Sequence, residues 1–123
     1  MTVEDLARVC HSANVAYCKA IGETHQREWD ELEPHHHRAI IAGVKMHLSN
    51  PKASPADSHN EWFNFKMNEG WSYGPKIDAD KMTHPCMVPF KELPKAQAAK
   101  DHLFKAICNS LGGFVRRNEP TEE

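Results

Sequence analysis

The sequence predicts one compact, mainly α-helical domain with a small β element. Apolar residues recur at three- and four-residue intervals in several segments, and glycine or proline follows each of these segments. One long stretch is instead too rich in proline to be a helix. The 123 residues suffice for a single core, and we expect residues 1–113 to form the domain and residues 114–123 to be a flexible C-terminal tail.

The first predicted helix covers residues 3–21. Its apolar residues repeat with the spacing of one helix face, and Gly22 supplies the stop, because glycine tolerates the left-handed conformation that ends many helices. We expect the following side chains to be buried: Val3, Leu6, Val9, Cys10, Ala13, Tyr17 and Ile21. Trp29 comes next in a segment of mixed polarity and should anchor that loop to the core.

The second and third predicted helices flank Pro51, which disfavours helical conformation in the residue before it. Pro34 suits the first turn of helix two, and Gly43 marks a close contact with another helix. The expected buried stripe of helix two is Ile40, Ile41, Val44 and Leu48. Helix three starts at Ser54, whose side chain can cap free backbone amides, and it stops at Gly70.

Residues 71–94 are predicted to be extended, with two short edge strands. Four of the eight prolines of the chain fall here, and proline interrupts a helix because it lacks an amide hydrogen. The last predicted helix opens at Leu93-Pro94 and closes at Gly112-Gly113.

Charge and composition disfavour several classes of partner. The formal net charge is −2 at pH 7, with 15 basic and 17 acidic residues, so we expect no binding to nucleic acid or anionic lipid. No apolar run is long enough for a membrane span, and residues 1–7 lack a signal-peptide pattern, so we expect a cytoplasmic protein. The four cysteines lie far apart, which favours reduced core thiols. Since a short chain has much surface for its volume, we expect a homodimer.

A recognisable motif runs from the end of helix three into the last helix. The residues Gly70-Trp71-Ser72-Tyr73-Gly74-Pro75, then Asp78, His84-Pro85-Cys86-Met87-Val88-Pro89-Phe90 and Leu93-Pro94 closely resemble the signature of the ryanodine-receptor repeat family. Upstream, Val9-Cys10-His11-Ser12-Ala13-Asn14, Tyr17-Cys18 and Ile21-Gly22 resemble the fuller form found in single-repeat proteins of bacteria and their phages. The resemblance covers about residues 3–111.

The resemblance implies paired α-helices with a short β element. In the receptor channels these repeats occur in tandem with approximate two-fold symmetry, so a single copy is expected to dimerise. The cleft between paired repeats is implied to hold an adenine nucleotide, on which the tryptophan of the Gly-Trp-x-Tyr motif stacks. Here Trp71 matches that tryptophan and Tyr73 is a second candidate, and core packing is the alternative for both.

Two helices carry further candidates for contact with such a ligand. His59 and Asn60 lie about one helical turn from Trp62 and could hydrogen-bond a base edge or a ribose, or else form exposed helix surface. We include Trp62 in the same cleft. His11 and Asn14 share a face of helix one and could support the cleft or a dimer partner, with structural hydrogen bonding as the alternative.

The extended segment carries three more polar candidates. Asp78, Lys81 and His84 could bind a ribose or a phosphate, because a carboxylate accepts hydrogen bonds from hydroxyls and an ammonium pairs with negative oxygens. The alternative is that they fix the loop, for which Asp78 is a suitable turn former.

The sequence has no pattern that indicates a metal site or catalysis. His35-His36-His37 should point in different directions on a helix, and Cys10-His11 should splay apart for the same reason. Neither a phosphate loop nor a dinucleotide-binding glycine motif occurs. We therefore expect no metal, no cofactor and no enzyme activity.

The resulting hypothesis is a non-catalytic module that binds an adenine nucleotide or a nucleotide-derived signalling molecule. If the gene came from a phage, such a protein could sequester an immune second messenger. Two alternatives stay open. One is a structural or protein-interaction module without a small-molecule ligand, and the other is a nucleotide hydrolase that uses residues such as Asp78 and His84.

Overall fold

Four α-helices form the frame of residues 1–116, the part of the chain that this computed structural model describes. They are α1 (Val3–Ala20), α2 (Pro34–Ser49), α3 (Pro55–Asn68) and α4 (Lys95–Leu111). A two-stranded parallel sheet of β1 (Ser72–Tyr73) and β2 (Thr83–His84) falls between α3 and α4 in the chain. The predicted fold class, mainly α with a small β element in one compact domain, is confirmed.

Local sequence signals set the helix ends close to where they were predicted. The Ser54 hydroxyl accepts a hydrogen bond from the Asp57 amide at 3.1 Å, and the Asp57 carboxylate accepts one from the Ser54 amide at 2.8 Å. Such a capping box satisfies two amides at a helix start, and its serine contributes about 1 kcal/mol. Gly22 and Gly70 follow α1 and α3 with φ angles of 88° and 98°, which residues with a side chain rarely adopt.

The helix α4 contacts each of the other three helices. Its Phe104 ring lies against Gly43 of α2, where an added Cβ would be 3.2 Å from the ring, so the predicted close contact is confirmed. Trp29 is buried in a 3-10 helix (Trp29–Glu31) and stacks on His37 at 4.1 Å, as expected for an anchor. The core cluster contains Leu6, Ala7, Cys10, Trp29, Val44, Cys108 and Val115. Packed against it are Ile40, Ile41 and Leu48, which confirms the stripe predicted for helix two.

The buried face of α1 differs in part from the prediction. Val9 and Ile21, which were expected inside, are 37% and 38% exposed, whereas His11 is buried. The Nε2 atom of His11 donates a hydrogen bond to the Arg27 carbonyl at 2.5 Å, so this polar side chain faces the interior with a partner. The prediction was wrong at Val9 because the buried stripe of α1 runs along the opposite side of the helix, and at Ile21 because that residue follows the last residue of α1. It missed His11 because apolar spacing takes no account of polar residues that find partners inside.

Residues 71–94, called the arm below, join α3 to α4. In the arm, β1 and β2 pair with Ser72 opposite Thr83 and Tyr73 opposite His84. Gly74 lies so close to Thr83 that an added Cβ would be 2.5 Å from the threonine Cβ, and a side chain does not fit there without movement. The pairing of β1 with β2 confirms the two predicted short strands.

The end of the described chain returns to the start of α1. Gly112–Phe114 form a 3-10 helix, Val115 is buried, and the Arg116 amide donates to the Met1 carbonyl at 3.0 Å. The fold thus continues through the first residues of the predicted tail, and residues 117–123 of that tail lie outside the described residues. Of the helices within residues 1–116, none is long and apolar enough to cross a membrane.

Candidate ligand-binding cavity

A cavity of about 570 Å³ lies between the four helices and the arm. Side chains from all five of these elements line it, so it depends on their mutual packing. Ligand pockets in proteins commonly measure about 300–1,000 Å³. The cavity therefore has the size needed for a nucleoside phosphate.

Five of the predicted ligand-binding residues line the cavity: His11, Asn14, His59, Trp62 and His84. The structure does not bring the other five to its wall: Asn60, Trp71, Tyr73, Asp78 and Lys81. Asn60 and Lys81 are exposed, and Tyr73 is 59% exposed. The Asp78 carboxylate accepts hydrogen bonds from the amides of Asp80 and Lys81 at 3.0 and 3.1 Å, which is the turn-forming arrangement considered above.

His59 connects α3, the arm and α4 at the cavity wall. Its side chain is buried, and its Nε2 donates to the Val88 carbonyl at 2.7 Å. Because a carbonyl oxygen can only accept, the ring proton lies on Nε2, and Nδ1 is 3.9 Å from the Asp101 carboxyl. The Trp62 ring stacks on His59 with centroids 5.5 Å apart. His59 therefore fixes both the arm and an aromatic part of the wall.

Asp101 adds a carboxyl group that is only partly charged near neutral pH. Burial raises its pKa to about 7, and the charge of Lys100 offsets only part of this effect. A carboxyl that is partly protonated can donate as well as accept a hydrogen bond. This side of the cavity can therefore pair with either kind of group on a ligand.

His84 stands in the wall as a neutral ring. Burial, with the nearby charges of Lys66 and Lys100, lowers its pKa to about 4. The Cys86 amide donates to Nδ1 at 3.0 Å, so the ring proton lies on Nε2. The Trp62 ring meets His84 edge to face at 5.0 Å. His84 thus contributes one N–H donor and supports the Trp62 indole.

Two lysines in the wall are held by neighbouring side chains. The Lys66 ammonium lies 4.5 Å from the centroid of the Trp71 ring, and burial lowers its pKa. The Lys100 ammonium pairs with the Glu23 carboxylate at 2.8 Å. Burial opposes the charge of Lys100, but the hydrogen bond to Glu23 outweighs burial and raises the pKa. One face of Trp71 is thereby occupied by Lys66, and stacking of Trp71 on a nucleobase stays a prediction.

The three consecutive histidines of α2 face different neighbours. His35 lies 3.8 Å from the Glu69 carboxylate, His36 lines the cavity, and the His37 ring donates to the Trp29 carbonyl at 2.7 Å. The rings of His35 and His36 nevertheless lie 4.2 Å apart, so the predicted divergence of consecutive helix positions holds for His37 and not for the first two histidines.

Lys66, Lys100 and Asp101 were missed as site residues from the sequence. Lys66 follows Trp62 by four residues and so shares its helix face, a spacing that could have pointed to it. Lys100 and Asp101 fall in a polar part of α4, where nothing in the sequence indicates burial, because charged helix residues are mostly exposed.

A protein-family model described as RyR domain matches residues 45–112. The match covers more than half of the chain and includes the end of α2, all of α3, the arm and α4. Of the five predicted residues that line the cavity, His59, Trp62 and His84 fall within the matched range, whereas His11 and Asn14 precede it.

Proposed function

The chain belongs to the RyR domain family, and we propose that it is a non-catalytic module that binds an adenine nucleotide or a nucleotide-derived signalling molecule. The cavity carries this proposal, because its volume of about 570 Å³ and its aromatic, cationic and hydrogen-bonding side chains suit such a ligand. The motif in the arm supports an adenine nucleotide as the ligand class through its resemblance to the receptor repeats.

Trp62 offers the best surface in the cavity for a nucleobase. Its indole contacts the rings of both His59 and His84, and these contacts hold it in place. Stacking of one base on an aromatic side chain contributes about 1–3 kcal/mol. Asp101, next to His59, can donate or accept a hydrogen bond at the base edge. In this proposal the base stacks on Trp62. Trp71 does not contact the base, and its ring holds the ammonium group of Lys66.

The protonation states of two reactive side chains in the cavity wall, His84 and Cys86, disfavour catalysis and so favour binding without turnover. The pKa of His84, about 4, is far from the near-neutral value that suits a general base, and its Nδ1 is already bonded to the Cys86 amide. Burial raises the pKa of the Cys86 thiol, which disfavours a thiolate nucleophile. A protein that releases its ligand chemically unchanged could act as a sensor. In a phage, it could sequester an immune second messenger.

A nucleotide hydrolase is the second candidate, because one pair in the wall could transfer a proton. The pKa of Asp101 is raised to about 7, and its carboxyl lies 3.9 Å from Nδ1 of His59. A carboxyl with such a pKa can act as an acid or base near neutral pH. Chromatography after long incubation with ATP, ADP, AMP and ADP-ribose separates the two candidates. The binding module predicts unchanged ligand, whereas product that Asp101→Asn abolishes would favour the hydrolase.

Calorimetry and thermal shift with ATP, ADP, AMP, ADP-ribose and cyclic nucleotides test the proposed binding. We expect one ligand to raise the melting temperature, and Trp62→Leu to remove this effect while the protein stays folded. Trp71→Phe is the matched control, since Trp71 lies outside the cavity wall and a phenyl ring keeps an aromatic face beside the Lys66 ammonium. Loss of binding in Trp71→Phe alone would put the ligand on the arm. If no ligand binds, a structural or protein-interaction module becomes the better account.

A further inference from the structure

The thiols of Cys10 and Cys108 meet where α1 packs on α4. Their Sγ atoms lie 3.8 Å apart, and both side chains are free thiols. The two residues are 98 positions apart in the chain, so the folded protein creates this contact. Both belong to the core cluster, with exposed fractions of 2% and 1%. Packing of small apolar side chains alone would also produce such a contact.

The contact is close to the geometry that a disulfide needs. A disulfide bond is about 2.05 Å long, so the two sulfurs would have to approach each other by roughly 1.8 Å. Rotation of both side chains about their Cα–Cβ bonds, with a slight shift of the two helices, would cover this distance. Cys86 has a different neighbour, because its Sγ atom donates to Oε1 of Gln97 at 3.6 Å.

One sulfur of the pair lies on a route for a small oxidant. Cys10 lines the cavity between the helices and the arm, although almost none of its surface is open to bulk solvent. Hydrogen peroxide is only slightly larger than water, and a cavity of about 570 Å³ has room for it. Larger oxidants such as a protein disulfide cannot reach a side chain that is buried in this way.

The contact between the two sulfurs also favours the thiolate, which is the reactive form of cysteine. The hydrogen bond with Cys10 lowers the pKa of Cys108, and the same hydrogen bond holds the pKa of Cys10 above its ordinary value. The pair therefore gives up its first proton more easily than an isolated buried thiol does, and the two sulfurs share the negative charge.

We propose that Cys10 and Cys108 form a redox-sensitive pair, which closes into a disulfide between α1 and α4 when hydrogen peroxide enters the cavity. One sulfur attacks the peroxide, so that an S–O bond forms, the O–O bond breaks and the leaving hydroxide takes a proton to become water. The other sulfur then attacks this sulfenic acid, so that the S–S bond forms, the S–O bond breaks and a second water leaves. The two thiols lose two hydrogen atoms, and one peroxide is reduced to two waters.

The disulfide would link the redox state of the protein to its cavity, because α1 and α4 both contribute to the wall. The pair itself goes beyond the proposed function, since its chemistry needs no nucleotide. One consequence rests on that function, because a nucleotide in the cavity would cover Cys10. Nucleotide at about ten times its Kd leaves about a tenth of the protein free and should slow the oxidation roughly tenfold.

Peroxide treatment at about pH 8, followed by peptide mapping without reduction, tests the inference. We expect the intact protein to lose two hydrogen atoms and the fragment with Cys10 to be joined to the fragment with Cys108. Chymotrypsin cleaves after Tyr17 and so separates Cys10 from Cys18 in the digest. Because the bond would join residues 98 positions apart, it should raise the melting temperature by at least about 5 °C. Dithiothreitol should reverse both changes.

Cysteine variants show which sulfurs react. Cys10→Ala and Cys108→Ala should each lose the joined fragments and the rise in melting temperature. Cys18→Ala, at another buried cysteine of α1, is the matched control and should keep both. The digest of the wild type decides the question even if one of these variants does not fold.

The outcomes separate the inference from the proposed function. Absence of the joined fragments at every peroxide concentration that leaves the protein folded, or a sulfinic acid on Cys10 in their place, would overturn the pair. Oxidation that a bound nucleotide does not slow would overturn the route through the cavity. If the disulfide forms and no nucleotide binds, the proposed function is refuted and the redox-sensitive pair stands.

Discussion

Replacement of His47 by leucine should stabilise the protein. His47 lies in α2, is 1% exposed and packs near the Phe104 ring, and neither of its ring nitrogens has a hydrogen-bond partner within residues 1–116. A buried polar atom without a partner costs about 1–3 kcal/mol. Leucine has a similar volume and no polar side-chain atom. We therefore expect His47→Leu to raise the free energy of unfolding by about 1–2 kcal/mol.

The gain from His47→Leu should grow as the pH falls. Burial lowers the pKa of His47 below its ordinary value of 6.5, so the unfolded chain takes up a proton that the folded protein disfavours. The contribution of His47 to the stability of the wild type is therefore fully present above pH 6.5 and is lost as the pH falls through the folded-state pKa of His47. His36 and His84 have lowered pKa values too, but they contribute equally to both proteins.

Urea unfolding at about pH 8 and about pH 5, followed by tryptophan fluorescence, measures both effects. His102→Leu is the matched control, because His102 is an exposed histidine of α4, and it should change stability by less than about 0.5 kcal/mol. If His47→Leu lowers the stability at both pH values, the imidazole has a polar partner and the argument from an unpartnered ring fails.

Three further predictions concern the arm, the cavity wall and the oligomeric state. Gly74→Ala should lose about 1–3 kcal/mol in urea unfolding, because its Cβ would lie 2.5 Å from that of Thr83, whereas Gly113→Ala, with no atom within 4 Å, should be nearly neutral. Asp101→Asn should gain stability over wild type at about pH 8 but not at about pH 4, because the raised pKa of Asp101 gives stability that is present below its ordinary value of 3.8 and lost as the pH rises through about 7. Size-exclusion chromatography with light scattering should give the mass of a homodimer, and a monomer at every concentration would end that proposal.

The helix ends could be predicted because their signals are local. Ser54 acts on amides within one turn, and Gly22 and Gly70 act through their own backbone conformation. The inner face of α1 could not be predicted as well, since the burial of His11 depends on a carbonyl 16 residues away at Arg27. Sequence periodicity contains no information about such a partner.

The cavity wall could be predicted only in part, for a related reason. Trp62 and His84 were included because the family resemblance implied a ligand cleft that polar and aromatic residues could line, and both line the cavity. Lys66 and Lys100 were missed, because long charged side chains on helices are mostly exposed. Their place in the wall depends on how the arm and α1 pack on α3 and α4, which the spacing along one helix does not show.

The emission of a single tryptophan tests most directly whether a nucleotide binds in the cavity against Trp62. The chain has three tryptophans, so Trp29→Phe with Trp71→Phe leaves Trp62 as the only reporter. We predict that AMP, or the nucleotide that calorimetry identifies, quenches this emission saturably with the same Kd as calorimetry gives. Calorimetric binding without a change in Trp62 emission, or quenching only in a protein that keeps Trp71 alone, would contradict the account.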